Sequence, residues 1–217
     1  MGIPMSGPKI KAIEGSHVQR TLKSPVTFQG VGLHSGQPVR MVVRPASADY
    51  GIWFRRTDLA GTPLVAARWD AVQQSALCTL LTNGKGATVQ TVEHLMAALA
   101  GLGVHNALIE IDGPEVPILD GSSQPFVQKT LAKGLIEQNA PVRAIRVLKP
   151  VEVREGEAVA RLQPAEMLEI DFAIDFAEKA IGQQSRALNM ANGTFVRELS
   201  DSRTFCRQVD VDAMRAR

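Results

Sequence analysis

The chain has 217 residues, of which 45% are hydrophobic and 21% charged, so it can bury one large core or two small ones and is not composed like a disordered protein. Its net charge of +2, with Lys and Arg interleaved among Asp and Glu, argues against nucleic acid as a partner. No stretch approaches the roughly 18 apolar residues of a membrane span, and the N-terminus lacks the apolar core of a signal peptide. Two cysteines are too few for a disulfide framework. Together these observations predict a soluble cytoplasmic protein.

The first half of the chain begins with segments typical of β-strands. Strands are predicted where apolar runs are punctuated by Gly, Pro and Asp, at residues 18–29, 38–44, 51–56 and 62–69. The following segment, ALCTLLTNGKGATVQ, predicts a hairpin that turns at Asn83-Gly84, a dipeptide that tolerates positive φ.

Two helices are predicted after the hairpin. The first lies within TVQTVEHLMAALAGLG and should end at Gly101 or Gly103, because glycine adopts the left-handed closing conformation without steric cost. A strand, NALIEI, and a loop, DGPEVPILDG, come next. The second helix should begin with Ser122 or Ser123 as its cap and Pro125 in its first turn, and Gly134 should end it.

A second strand-rich region follows residues 135–141, which are predicted to be a linker. We therefore expect an α+β fold with an N-terminal extension (residues 1–16), a first domain (17–140) and a second domain (141–217). In the first domain, strands followed by two helices predict helices on one face of a largely antiparallel sheet. In the second, only TFVRELSD and VDVDAMRAR could be helical, so we expect this domain to be incomplete.

Glu93 and His94 stand side by side in the first helix, which is otherwise poor in polar residues. If the imidazole of His94 binds a metal ion, the neighbouring carboxylate can reach a metal-bound water and remove its proton, which is the chemistry of metal-assisted hydrolysis. Alternatively, Glu93 is a favourable negative charge at the start of a helix and His94 is a packing residue. A zinc site needs three protein ligands, and this pair supplies one.

The run TVEHLMAALAGLGVHNALIEIDGPEVPILDGSSQPF strongly resembles the zinc-dependent UDP-3-O-acyl-N-acetylglucosamine deacetylases of lipid A biosynthesis. So do QRTLKSPVTFQGVGLHSG, RPASADYGIWFRRTDL, LCTLL and SRTF, in the same order, so that the resemblance covers residues 18–217. It implies two similar α/β sandwich domains, each a sheet packed against paired helices, with the active site between them. It also implies zinc as the cofactor and UDP-3-O-acyl-N-acetylglucosamine as the substrate.

Site residues follow from the matched motifs. By resemblance, His94 is a zinc ligand, Glu93 the general base, Thr204 the group that stabilises the oxyanion, and Phe205 a wall residue beside it. The sequence alone favours the alternative that Thr204 caps an element or pairs within a strand. Asp120 could orient His94 from the second coordination shell, although its Asp-Gly context also fits a turn residue.

The segment GVGLHSG could suggest a phosphate-binding loop, but it lacks the Gly-Lys-Ser/Thr ending of such loops. The resemblance places Leu33 and His34 near the active-site mouth as substrate contacts. Cys78 corresponds to a cysteine that lines the same site, although it could be a small buried apolar residue. His17 and His105 have no motif support as ligands.

The chain departs from the family in one respect. The family takes its remaining zinc ligands, a histidine and an aspartate four residues later, and a histidine general acid from beyond the SRTF motif, whereas no histidine follows His105 here. We therefore expect a C-terminally truncated form that is inactive by itself. A monomeric state is a separate expectation. The alternative is a non-catalytic sugar-nucleotide-binding module that has lost the metal site. A coding sequence that continues past Arg217 into a His-x-x-x-Asp motif would favour the enzyme.

Overall fold

The computed structural model describes residues 18–191 and 193–215, which divide into two compact units. The described part of the larger unit comprises residues 18–141 together with Phe195–Phe205. That of the smaller unit comprises residues 142–191, 193–194 and 206–215. The predicted N-terminal extension, residues 1–16, lies outside the described residues, as does His17.

The larger unit is built on a five-stranded sheet. The strands of the whole unit, in chain order, are β1 (Val18–Leu22), β2 (Val26–Val31), β3 (Pro38–Pro45), β4 (Ile52–Arg56), β5 (Leu64–Ala66), β6 (Val72–Gln73), β7 (Leu80–Thr82), β8 (Thr88–Gln90), β9 (Ala107–Ile111) and β10 (Leu135–Pro141). The main sheet has the order β2-β3-β9-β4-β5, and every neighbouring pair is antiparallel except β4 and β9. The expected largely antiparallel sheet and the α+β class are confirmed.

Three predictions, one of a linker and two of strands, differ from the structure. Residues 135–141 are not a linker but β10, which pairs antiparallel with β1. The predicted strand at 18–29 is divided into β1 and β2, which belong to different sheets, because the chain turns at residues 23–25. The amide of Lys23 donates to the carbonyl of Gly134, in register with the pairing of β1 and β10, and the chain turns at Ser24 and Pro25 before β2 begins. The predicted strand at 62–69 is confined to β5 and is followed by a short 3₁₀ helix, Trp69–Ala71.

Both helices of this unit form where the sequence predicts them. Helix α1 spans Glu93–Gly101 and α2 spans Gln124–Lys133. Gly103, just after α1, has a φ of +69°, and Gly134, just after α2, has a φ of +81°, so each helix is followed by a residue in the left-handed region that glycine enters without strain. The rings of Phe28 on β2 and Phe126 on α2 lie 4.9 Å apart between centroids and join that helix to the sheet.

The predicted hairpin is present as the antiparallel pair β7 and β8, but its turn is longer than two residues. The side-chain oxygen of Asn83 accepts hydrogen bonds from the amides of Lys85 and Ala87, and the amide of Asn83 donates to the carbonyl of Ala87. The asparagine side chain thus closes a five-residue loop, because it can stand in for a backbone acceptor.

The smaller unit consists of two antiparallel hairpins and a helix. They are β11 (Val151–Glu155) with β12 (Ala158–Leu162), β13 (Glu169–Asp175) with β14 (Gln183–Asn189), and α3 (Gln208–Arg215). Apolar side chains on these hairpins are largely exposed, as at Val153 and Phe172. None of the helices in the described part of the chain has the length and apolar composition that a membrane crossing needs.

The segment Phe195–Phe205 belongs to the larger unit, although the sequence-based boundaries placed it in the second domain. It opens with a π-helical turn, Phe195–Leu199. A Cβ at Gly101 of α1 would lie 2.0 Å from the buried Phe195 ring, so only glycine permits this contact. The segment thereby carries the SRTF motif onto the unit that holds Glu93 and His94.

Candidate functional site

The first turn of α1 presents Glu93 and His94, both half-buried. Oε2 of Glu93 accepts a hydrogen bond of 3.1 Å from the amide of Thr79. Because Thr79 directly follows Cys78, this bond brings the cysteine segment next to the carboxylate. The Cys78 thiol lies 3.4 Å from the hydroxyl of Ser75.

His94 is tied through its backbone to the start of α2. Ser123 occupies the capping position of α2, but its hydroxyl does not cap that helix and instead donates a hydrogen bond of 2.9 Å to the carbonyl of His94. This bond uses the backbone of His94 and not its imidazole. It also explains why Ser123, one of the two predicted caps, does not bond to its own helix.

Asp120 lies in the turn before α2. One of its carboxylate oxygens, Oδ1, accepts hydrogen bonds from the amide and the hydroxyl of Ser122, at 3.0 and 2.8 Å. Burial by itself would raise the pKa of Asp120, but these bonds and the positive charge of Arg203 lower it below its ordinary value. Within the described ranges, the carboxylate is not hydrogen-bonded to His94. The geometry favours the turn role, and orientation of His94 by Asp120 stays a prediction.

Thr204 reaches the same turn from the SRTF motif. Its amide donates a hydrogen bond of 2.9 Å to the carbonyl of Gly121, and its methyl group would lie 3.6 Å from a Cβ at that glycine. Thr204 and Phe205 are both exposed. A continuous path of contacts therefore runs from Thr204 through the turn and Ser123 to His94 and Glu93.

Leu33 and His34 lie in the Gly32 loop, residues 32–37, and both are exposed. The side chain that holds this loop is Glu115, which is 1% exposed. Its carboxylate accepts hydrogen bonds from the amides of His34 and Ser35, at 2.9 and 2.8 Å. It also accepts one of 2.8 Å from the hydroxyl of Thr91, two residues before Glu93. The loop is thus connected to the start of α1.

Glu115 was not among the residues selected from the sequence. The available signal was a single carboxylate between apolar residues and prolines in GPEVP, a position where a glutamate is buried only if it is well hydrogen-bonded. Burial by itself would raise the pKa of Glu115, but the hydrogen bonds from His34, Ser35 and Thr91 outweigh it and lower the pKa below its ordinary value.

Three non-glycine residues with positive φ flank the predicted site residues. Leu77 (φ +62°) precedes Cys78, Thr91 (φ +56°) lies just before α1, and Leu119 (φ +54°) precedes Asp120. Such a backbone conformation costs about 1–3 kcal/mol and persists only where the surroundings impose it. Its concentration here supports a functional interpretation of these three segments.

The described residues do not supply a full set of ligands for a zinc ion. No group of three or more His, Cys, Asp or Glu side chains that could hold a metal ion occurs among them. Nδ1 of His105 accepts a hydrogen bond from the amide of Arg20, and burial, followed by the charge of Arg20, lowers the pKa of His105. His105 therefore has a structural contact through Nδ1, and His94 is the one predicted zinc ligand among the described residues, where zinc needs three or four.

Comparisons with known proteins identify the family. The family model of UDP-3-O-acyl N-acetylglycosamine deacetylase matches residues 19–217. UDP-3-O-acyl-N-acetylglucosamine deacetylase of Phenylobacterium zucineum (strain HLK1) is 49% identical over 91% of this chain and 68% of its own length. The proteins of the same name from Shewanella loihica and Xanthomonas campestris pv. campestris (strain B100) are 44% and 48% identical, with 65% and 66% of their lengths covered. The chain thus spans about two thirds of the length of these relatives, and it belongs to the UDP-3-O-acyl N-acetylglycosamine deacetylase family.

Proposed function

We propose that this chain carries part of the catalytic site of a deacetylase that hydrolyses the N-acetyl group of UDP-3-O-acyl-N-acetylglucosamine, a step of lipid A biosynthesis. Family membership and the names of the relatives support the substrate. The observation that carries the proposal is the path of contacts that gathers Thr204, His94, Glu93 and the Cys78 segment within one unit.

Each of these residues has a role in the proposed hydrolysis. Glu93 accepts a proton from the attacking water, whose oxygen adds to the acetyl carbonyl. The hydroxyl of Thr204 donates a hydrogen bond to the oxyanion that develops there. The C–N bond then breaks, the amine nitrogen takes the proton that Glu93 had accepted, and the acid leaves and ionises to acetate. Leu33, His34, Cys78 and Phe205 are proposed to contact the substrate.

Zinc is the proposed cofactor, with His94 as one of its ligands. Because the described residues do not complete a ligand set, we propose that the 217-residue chain alone binds zinc weakly and does not turn over. Metal analysis of that chain tests this: tight one-to-one zinc that depends on His94 would contradict it. A cytoplasmic location and a monomeric state are further parts of the proposal. The two cysteines, which are unpaired, agree with a reducing compartment.

A chimera tests the catalytic assignments directly. Residues 19–217 would replace the matching part of the Phenylobacterium zucineum deacetylase, which supplies its own remaining sequence. We expect the chimera to release acetate and to bind zinc. Glu93→Gln should keep the metal and slow acetate release by about 10²- to 10⁴-fold, because an amide cannot accept the proton. His94→Ala should lose metal and activity together.

The matched control is Glu110→Gln. It removes from β9 a carboxylate that is paired with Arg44 and Arg55, and it should leave turnover unchanged. Undiminished turnover in Glu93→Gln would rule out the base assignment. The incomplete ligand set also allows a non-catalytic sugar-nucleotide-binding module. A chimera that binds the substrate without releasing acetate would favour that alternative.

A further inference from the structure

The most buried carboxylate of the larger unit is Glu115, and it stands between two segments that carry proposed site residues. Oε1 accepts hydrogen bonds from the amide of His34 and the hydroxyl of Thr91, and Oε2 accepts one from the amide of Ser35. Both oxygens therefore face donors. A glutamine at this position would turn an NH₂ group toward at least one N–H, so it could not reproduce the arrangement.

The backbone around Glu115 is itself fixed. The amide of Val116 donates to the carbonyl of Gln90, and the amide of Gln90 donates to the carbonyl of Pro114, which forms an isolated parallel bridge just before Thr91. The backbone of Glu115 is thus fixed next to the segment that leads into α1. The hydrogen bonds that its carboxylate accepts from the loop amides fix residues 34 and 35 relative to the same segment. Because hydrogen bonds to a charged acceptor are stronger than neutral ones, a buried carboxylate suits this task better than a neutral acceptor.

Gly32 shows how closely the loop fits the carboxylate. A Cβ at this position would lie 2.2 Å from Oε2 of Glu115 and 2.2 Å from the hydroxyl of Ser35. Any larger residue would have to displace both of them. The loop backbone is further closed by hydrogen bonds from Gly32 to Gln37 and from Gly36 to Gly32.

We infer that Glu115 is a positioning residue that fixes the Gly32 loop against the start of α1, so that His34 is presented to the substrate in a set relation to Glu93. The inference rests on the proposed function for the role of His34, but the loop arrangement itself can be measured without turnover. Thr91 takes part through its hydroxyl, which helps to hold a β-branched residue at positive φ.

The test uses the 217-residue chain and nuclear magnetic resonance of its backbone amides. In Glu115→Gln, the amide protons of His34 and Ser35 should move upfield and exchange with solvent at least about tenfold faster, as expected for the loss of a charge-assisted hydrogen bond. Gly32→Ala should give the same change with Glu115 still present. Thr91→Val should give part of it, and Thr91→Ser, which keeps the hydroxyl, should restore the wild-type signals. Glu110→Gln is the matched control and should change neither amide.

Titration with UDP-3-O-acyl-N-acetylglucosamine separates this inference from the proposed function. We expect Glu115→Gln and His34→Ala both to weaken binding, while the tryptophan fluorescence of the folded unit is retained. Unchanged amides at positions 34 and 35 in Glu115→Gln overturn the inference. So does wild-type binding by Glu115→Gln when His34→Ala binds weakly. If both variants bind as the wild type does while the amides respond, the proposed substrate contact of His34 fails and the loop arrangement stands.

Discussion

At the scale of single residues, the larger unit contains a buried charged group, the guanidinium of Arg56, whose carboxylate partner Asp58 lies nearer the surface. Arg56 is 5% exposed, and its guanidinium donates to both carboxylate oxygens of Asp58, at 2.8 and 2.7 Å, and to the carbonyl of Thr88 on β8. The hydrogen bond from Arg56 holds the pKa of Asp58 below its ordinary value, against the effect of burial. This side chain joins the end of β4 to β8.

Replacing Asp58 with Asn should destabilise the larger unit in a pH-dependent way. A carboxyl group whose pKa is lower in the folded state stabilises that state above its unfolded pKa of 3.8, and the stabilisation is lost as the pH falls through the folded value. At pH 7 we expect Asp58→Asn to cost about 1–3 kcal/mol, because Arg56 loses a charged acceptor. Below pH 3.8 the difference from the wild type should shrink.

Urea unfolding followed by tryptophan fluorescence measures this cost, because Trp53 and Trp69 both lie in the larger unit. Asp70→Asn is the control, since Asp70 makes the same two-residue pairing with Arg68 on an exposed surface and should matter little. Equal effects of the two substitutions, or an Asp58→Asn effect that does not vary with pH, would contradict the argument.

At the scale of elements, a side-chain hydrogen bond joins helices α1 and α2. The hydroxyl of Ser123 at the start of α2 donates to the carbonyl of His94 in the first turn of α1. Ser123→Ala should therefore destabilise the larger unit by about 1 kcal/mol, as for the loss of one neutral hydrogen bond. Ser47→Ala, an exposed loop serine, is the control for the urea midpoint. A Ser123→Ala midpoint equal to that of the wild type would show that the helices do not depend on this bond.

Elements with a local cause could be predicted from the sequence, and those with a distant cause could not. Helix α1 follows from its apolar pattern and the glycines after it, both of which lie within a few residues. Strand β10 has no such signal, because most of its side chains are exposed and its partner β1 lies more than 100 residues earlier in the chain. Glu115 was missed for the same reason, since its hydrogen-bond donors come from residues 34, 35 and 91.

At the scale of the whole molecule, the two units differ sharply in how much apolar surface they bury. Every buried apolar side chain among the described residues lies in the larger unit, including Phe28, Phe54 and Met41. In the smaller unit, Ile145 and Leu148 are 92% and 82% exposed. Since apolar burial is the main force that stabilises a fold, the smaller unit should be much the weaker of the two.

We therefore expect the chain to unfold in two steps as urea is raised. Far-ultraviolet circular dichroism should lose part of its β signal first, from β11 to β14, while tryptophan fluorescence, which reports on the larger unit alone, changes later. Val43→Thr places a hydroxyl at a fully buried position on β3. It should lower the free energy of unfolding of the larger unit by about 1–3 kcal/mol and so move the fluorescence transition to lower urea. Val153→Thr on β11, where the residue is 66% exposed, should change that free energy of unfolding by less than about 0.5 kcal/mol. A single transition seen at the same urea concentration by both probes would mean that the hairpins are as stable as the main sheet, and apolar burial would then fail to explain the stability of this molecule.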